Sequence, residues 1–94
     1  YGAAKAGLIQ LTKWRACNLS EHFIRVNSIS FGAFPDEVTQ TNHPNFISEL
    51  ERKIPLRRIG HPDEVKGPLV FLASNASSYI TGADISVDGG WTAW

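Results

Sequence analysis

The 94-residue sequence has no methionine, one cysteine and no excess of either charge. Cys17, alone in the sequence, cannot form an internal disulfide, so a reducing, cytoplasmic setting is expected with Cys17 as a small apolar filler on a helix. Nine Lys and Arg balance nine Asp and Glu. That balance gives no support for binding nucleic acid or an anionic membrane surface through a basic face. No apolar run approaches the roughly 20 residues of a bilayer-spanning helix, and no signal peptide opens the chain. A glycine-rich phosphate loop is lacking too. His22, His43 and His61 stand about twenty residues apart with no grouping at ligand spacing, so no metal site is expected. Without an initiator methionine, and with residue one already inside a helical pattern, the sequence reads as the tail of something longer or as part of a chain.

What is present suits a soluble globular polypeptide. Hydrophobic residues make up 43% and charged residues 19%. The length allows one small domain, which would bury only about two-thirds of its unfolded surface.

The chain opens on Tyr1-Gly2-Ala3-Ala4-Lys5. In a helix, residues four apart share a face, so the phenol and the ammonium would stack one turn apart. A tyrosine hydroxyl ordinarily titrates near 10, too high to exchange protons efficiently at neutral pH. A lysine cation beside it favours the phenolate and lowers that value. Gly2, Ala3 and Ala4 add little bulk, leaving room for a substrate or a ribose. Such a pair is a workable acid/base device, although the spacing also suits an aromatic resting against a solvated lysine.

From Ala3 to about Leu19 the composition and the absence of proline predict a helix. Its polar residues Gln10, Lys13, Ser20 and Glu21 fall in one arc of about 100°. Leu8, Leu11, Trp14 and Leu19 occupy much of the remainder, which predicts burial on more than one side. A short strand is predicted over Ile24–Ser30, ending at the Phe31-Gly32-Ala33-Phe34-Pro35 loop. In open parallel α/β sheets ligands bind where strands end in loops, so this loop is the natural place for a cofactor or substrate, although its composition suits an ordinary strand-exit turn equally well. Asp36–Asn45 is polar and expected to be irregular, with a short helix over Pro44–Lys53 that Pro55 terminates. A second firm helix starts near Pro62, where Asp63 and Glu64 suit its positive end. Val65, Leu69, Val70, Leu72 and Ala73 are its expected core face, and Pro68 predicts a bend. After a corner at Tyr79–Gly82, Ala83–Asp88 reads as a second strand. Asp88-Gly89-Gly90 ends it, and Trp91–Trp94 trails off.

This succession is a compound signature: Tyr-x-x-x-Lys on a helix, Arg25-Val26-Asn27-Ser28-Ile29-Ser30, a Gly32 loop, Phe71-Leu72-Ala73-Ser74, then Ile80-Thr81-Gly82-Ala83-Asp84-Ile85-Ser86-Val87-Asp88-Gly89-Gly90. It resembles the carboxyl-terminal half of the short-chain dehydrogenase/reductase family over the full length, 1–94. Gly32-Ala33-Phe34-Pro35 is similar to members acting on sugar acids or polyols, such as gluconate dehydrogenases. The resemblance implies an α/β fold: the carboxyl-terminal part of a Rossmann-like parallel sheet with flanking helices, incomplete by itself.

The same resemblance implies roles for particular residues. Tyr1 is the acid/base that trades a proton with a substrate hydroxyl or carbonyl. Lys5 lowers its pKa and holds the nicotinamide ribose of NAD or NADP. Backbone groups of Gly32, Ala33 and Phe34 bind the carboxamide. Phe31 stands where the family usually has proline, and Asp36 where threonine is common. The glycine-rich dinucleotide loop, the residue that chooses NAD or NADP, and the catalytic serine would all precede residue one.

Two readings follow. One is part of an NAD(P)-dependent oxidoreductase for a small-molecule alcohol, expected to be inactive and to bind no dinucleotide alone. The other is a non-catalytic assembly module derived from such an enzyme. Two short strands need cover on both faces and both edges, so a homo-oligomer is expected, with neither nucleic acid nor membrane as partner.

Overall fold

The computed structural model describes residues 2–93. Backbone contacts divide the chain into two compact units: the residues up to Ile29 with Pro68–Ile85, and Ser30–Gly67 with the residues from Ser86 on.

In the first unit, helix α1 runs over Gly2–Leu19 and closes through a 3-10 turn at Ser20–His22. The closure bonds Ile24 N–H to Leu19 O at 3.3 Å and Phe23 N–H to Ser20 O at 3.0 Å. These are the paired bonds of a Schellman cap, whose left-handed position is usually glycine. Here Phe23 occupies it, at φ 61° and ψ 31°. Expected burial of α1 on more than one side is not found within this chain. Thr12 and Ala16 are buried, whereas Leu8, Leu11 and Trp14 are exposed.

Strand β1 spans Ser28–Phe31 rather than the predicted Ile24–Ser30. Residues 25–27 are held by side chains instead of a ladder. The Arg25 guanidinium donates to Ile80 O (3.1 Å), Leu72 O (2.9 Å) and Ser74 O (3.2 Å). Asn27 donates to Ile80 O at 3.0 Å and accepts from Ala83 N–H at 2.9 Å. Val26 N–H bonds Thr81 Oγ1, and Val26 O accepts from Gly82 N–H at 2.8 Å. Gly82 sits at φ 76°, where glycine bears no Cβ penalty.

Strand β2 spans Asp84–Val87 and pairs with β1. Ser28 N–H bonds Ala83 O in the first unit, and Gly32 N–H bonds Val87 O in the second. Both residue numbers advance by four between those bonds, so the strands are parallel and require a helical crossover. Ser28 Oγ donates to Asp84 Oδ1 beside the first of them.

In the second unit, Glu37–Asn42 forms helix α2 where irregular chain was expected. Asp36 supplies the reason: its carboxylate accepts from Thr39 N–H at 2.7 Å, an N-cap bond. A bond from the Thr39 side chain foremost, with this amide bond second, lowers the Asp36 pKa. Helix α3 covers Pro44–Lys53 as predicted. The segment begun by Pro62 is not one continuous α-helix. It is a 3-10 turn over Pro62–Val65 followed by helix α4 over Lys66–Ala73, which belongs to the first unit from Pro68 on. Pro68 is then the third residue of α4, where a missing N–H removes no bond of that helix. Leu69 and Val70, expected in the core, are exposed within this chain.

The chain after β2 does not trail off. Asp88 accepts from Gly90 N–H (3.0 Å), Thr92 N–H (3.1 Å) and Thr92 Oγ1 (2.7 Å). These bonds order a 3-10 turn at Trp91–Ala93. No helix among the described residues is long and apolar enough to cross a membrane.

Candidate active site

Both strands of a parallel sheet deliver their carboxyl ends to one side, and in the second unit those ends are Gly32–Phe34 and Asp88–Gly90. The two stretches touch. A Cβ built on Gly32 would fall 2.6 Å from Asp88 Cβ and 2.7 Å from Asp88 Cα. No side chain fits that gap, so glycine here is a packing requirement.

The loop after β1 is held from two further directions. Ala33 O accepts from Gly60 N–H at 2.9 Å. The Phe34 ring lies against Gly60, at 2.4 Å from where a Cβ on that residue would be. Phe34 also meets Phe31 edge to face, with ring centroids 5.6 Å apart and planes at 85°. Phe31 thus restrains the loop through a ring contact where a proline would act on the backbone torsion.

Residues 54–60 form the facing wall. Ile54 is 2% exposed and Ile59 is 8% exposed, the largest apolar burial in this unit. Leu56 N–H bonds Gly89 O at 3.1 Å, joining this wall to the end of β2. Gly89 has φ 63° and Gly90 φ 94°. Ile54 and Pro55 press on them so closely that a Cβ at either would approach within 3 Å. Between these segments opens a cleft of about 420 Å³. Its apolar lining includes the Phe34 ring and the aliphatic Ile54, Leu56, Ile59 and Val87. A concave, mostly apolar cleft with few polar groups is the usual form of a small-molecule site.

Its charged members are Asp88, whose carboxylate accepts from Gly90 and Thr92, and the pair Arg58 and Glu64. The guanidinium donates to both carboxylate oxygens, Oε1 at 2.6 Å and Oε2 at 2.9 Å, a bidentate pair. Glu64 Oε1 also accepts from His61 N–H at 3.0 Å. The Arg58 bonds foremost, with the His61 amide second, hold the Glu64 carboxyl down at about 2. The Arg58 pKa is raised in turn by Glu64. The pair compensates its own charge at the cleft.

Of the residues singled out from the sequence, Gly32, Ala33 and Phe34 lie together in the second unit. Lys5 lies on α1 in the first and is partly buried. Tyr1 lies outside the described residues. Sequence reasoning missed Gly60, the Arg58–Glu64 pair and the clamping role of Asp88. The signal for Glu64 was its place three residues after His61 at a helix start. Gly60, between Ile59 and His61, carried no signal short of the fold. No group of three or more His, Cys, Asp or Glu among the described residues is arranged to hold a metal ion.

Comparison with known proteins agrees across nearly the whole chain. A family model described as Enoyl-(Acyl carrier protein) reductase matches residues 1–92. The D-arabinitol 2-dehydrogenase (ribulose-forming) of Candida albicans is 40% identical over 98 residues, covering 100% of this chain and 35% of its own. The 3-oxoacyl-[acyl-carrier-protein] reductase of Chlamydia trachomatis is 42% identical over 90 residues, covering 96% of this chain and 36% of its own. Among solved structures, the RhlG/NADP active-site complex of Pseudomonas aeruginosa superposes with a TM-score of 0.87 at 38% identity. That match covers 97% of this chain and 38% of the other. The chain therefore spans little more than a third of the length of these relatives. With a parallel strand pair, a glycine-tight loop at its carboxyl end and matches of this extent, the chain belongs to the short-chain dehydrogenase/reductase family.

Proposed function

We propose that this chain is the carboxyl-terminal part of an NAD(P)-dependent oxidoreductase that interconverts an alcohol and a ketone. The substrate class is a sugar, sugar acid or polyol, in line with the arabinitol dehydrogenase relative. The observation that carries the reading is the family match over residues 1–92, which takes in both Tyr1 and Lys5. In this reading the Tyr1 phenolate takes the proton of the substrate hydroxyl during oxidation and returns it during reduction. Lys5 favours the phenolate and holds the nicotinamide ribose. The nicotinamide, when bound, accepts or gives the hydride.

The loop after β1 fits such a group at the carboxyl end of the sheet. Gly32 N–H and Ala33 O are engaged with Val87 and Gly60. They hold the loop, and contact with a carboxamide falls to the remaining backbone groups of Gly32, Ala33 and Phe34. By itself the 94-residue chain is inactive and binds no dinucleotide. It assembles with copies of itself, a reading supported by the exposed Leu8, Leu11 and Trp14 on α1. Cytoplasmic placement goes with the same reading.

The test is Tyr1→Phe in the protein that carries this chain, with oxidation of D-arabinitol by NAD+ and NADP+ as the assay. Turnover should fall by about 10²-fold or more, the usual worth of a positioned acid/base, while cofactor affinity holds. Unchanged turnover would falsify the assignment. Tight, saturable binding of either dinucleotide to the 94-residue chain, followed by calorimetry, would overturn its inactivity.

A further inference from the structure

A single carboxylate holds the chain on both sides of Gly60. Glu64 accepts from the Arg58 guanidinium, two residues before that glycine, and from the His61 amide, one residue after it. Arg58 Nη1 also donates to Ile59 O at 3.2 Å, and His61 O accepts from Glu64 N–H at 2.8 Å. Residues 58–64 are thereby closed into a ring that contains Gly60. Ile59, next to it in the ring, is buried.

Gly60 links this ring to the loop after β1. Its N–H bonds Ala33 O, and the place of its missing side chain is taken by the Phe34 ring. A cap for the turn at Pro62–Val65 needs only the bond from the His61 amide, which a glutamine at position 64 would accept as well. The arginine fork is additional to that cap. Its two side chains, Arg58 and Glu64, are 43% and 39% exposed. At such sites what a two-pronged pair adds over a single contact is fixed distance and angle. Each charge is met by the other, so the pair has no call for a charged guest.

We propose that Arg58 and Glu64 are positioning residues for the nicotinamide end of the cofactor, acting through Gly60 on Ala33 and Phe34. The pair fixes the direction of the Gly60 amide. That amide fixes the Ala33 carbonyl, and the bare Cα beside it seats the Phe34 ring. The remaining backbone groups of the loop are then held ready for a carboxamide, because a binding group is only as well placed as the residues that support it. The inference rests on the nicotinamide-dependent function proposed above and names which side chains set the geometry of its loop.

The test compares the protein that carries this chain with its Glu64→Gln, Arg58→Met and Arg58→Lys variants. Calorimetry follows two ligands: NADH or NADPH, whichever the parent binds more tightly, and the matching ADP-ribose or its 2′-phosphate, which lack nicotinamide. Glu64→Gln keeps an acceptor for the His61 amide and loses the charge that meets Arg58, so it opens the fork and spares the cap. In Glu64→Gln and Arg58→Met the ratio of dinucleotide to ADP-ribose affinity should fall by about tenfold, with ADP-ribose affinity unchanged. Arg58→Lys should recover part of that ratio. With no cofactor present, hydrogen exchange at the Gly60 amide should quicken in the same two variants. Should Arg58→Met not fold, Glu64→Gln decides alone. A ratio left intact, or equal weakening of both ligands, shows a merely structural pair and overturns the inference while the proposed function stands. A parent that binds neither dinucleotide overturns both.

Discussion

The ring of Phe34 fills the space that a side chain on residue 60 would take, with ring carbons 2.4–2.7 Å from an ideal Cβ there. The carbonyl beside that ring, Ala33 O, accepts from the Gly60 amide. One glycine therefore fixes both the ring and the backbone of the loop after β1.

Gly60→Ala should accordingly be costly despite its small size. Adding one methyl to a filled site usually destabilises by about 1–3 kcal/mol. Urea unfolding should show that loss, and the Phe34 ring resonances should move. Gly67→Ala, where a Cβ meets nothing within 4 Å, is the control and should be no less stable than the parent.

Among the described residues, Arg57 is the other non-glycine residue besides Phe23 in the left-handed region, at φ 61°. Its guanidinium donates to Arg52 O near the end of α3. Arg57→Ala keeps the strain and loses the bond, whereas Arg57→Gly loses both. The glycine variant should be more stable than the alanine variant by about 1 kcal/mol, the usual cost of a Cβ in that region. Equal midpoints of denaturation would show that the backbone there is unstrained.

The pH dependence follows from Glu64. Its carboxyl is held down at about 2 in the folded chain against an ordinary 4.5. A depressed folded pKa means that the unfolded chain binds the proton first. The contribution is thus whole above about 4.5 and fades as pH falls toward 2. Stability of the parent and of Glu64→Gln should differ at neutral pH and converge across that window. A gap that persists unchanged down to pH 2 would remove the Arg58–Glu64 pair as its cause.

Arg25→Lys should not be conservative. One ammonium cannot reproduce a planar fork that reaches the carbonyls of Leu72, Ser74 and Ile80. A hydrogen bond to a charged group is worth about 1.5–3 kcal/mol, so loss of even one should be measurable by thermal unfolding. Hydrogen exchange should quicken at Gly82 and Ala83, whose amides bond Val26 and Asn27.

Local chemistry was legible where it sufficed. Pro44 at the first position and Pro55 just past the end bound α3 at the residues expected. The same reasoning passed over Asp36, whose cap bond to Thr39 makes α2 a helix. It also overran the start of β1. Extended sequence does not reveal whether its amides meet a neighbouring strand or, as for Val26, a side chain 55 positions away.

The sequence by itself determined helices α1 and α3, the presence of both strands, and the family to which they belong. Each of these depends on neighbours within a turn or two, or on an order of motifs. Only the tertiary structure decided that Gly60 seats Phe34, that Asp88 lies against Gly32, and that Arg58 pairs with Glu64 at the cleft. It also decided that Leu69 and Phe23 face water. Distance in space between residues far apart in the chain, and hence which apolar side chains find cover, is set by packing that no local pattern encodes.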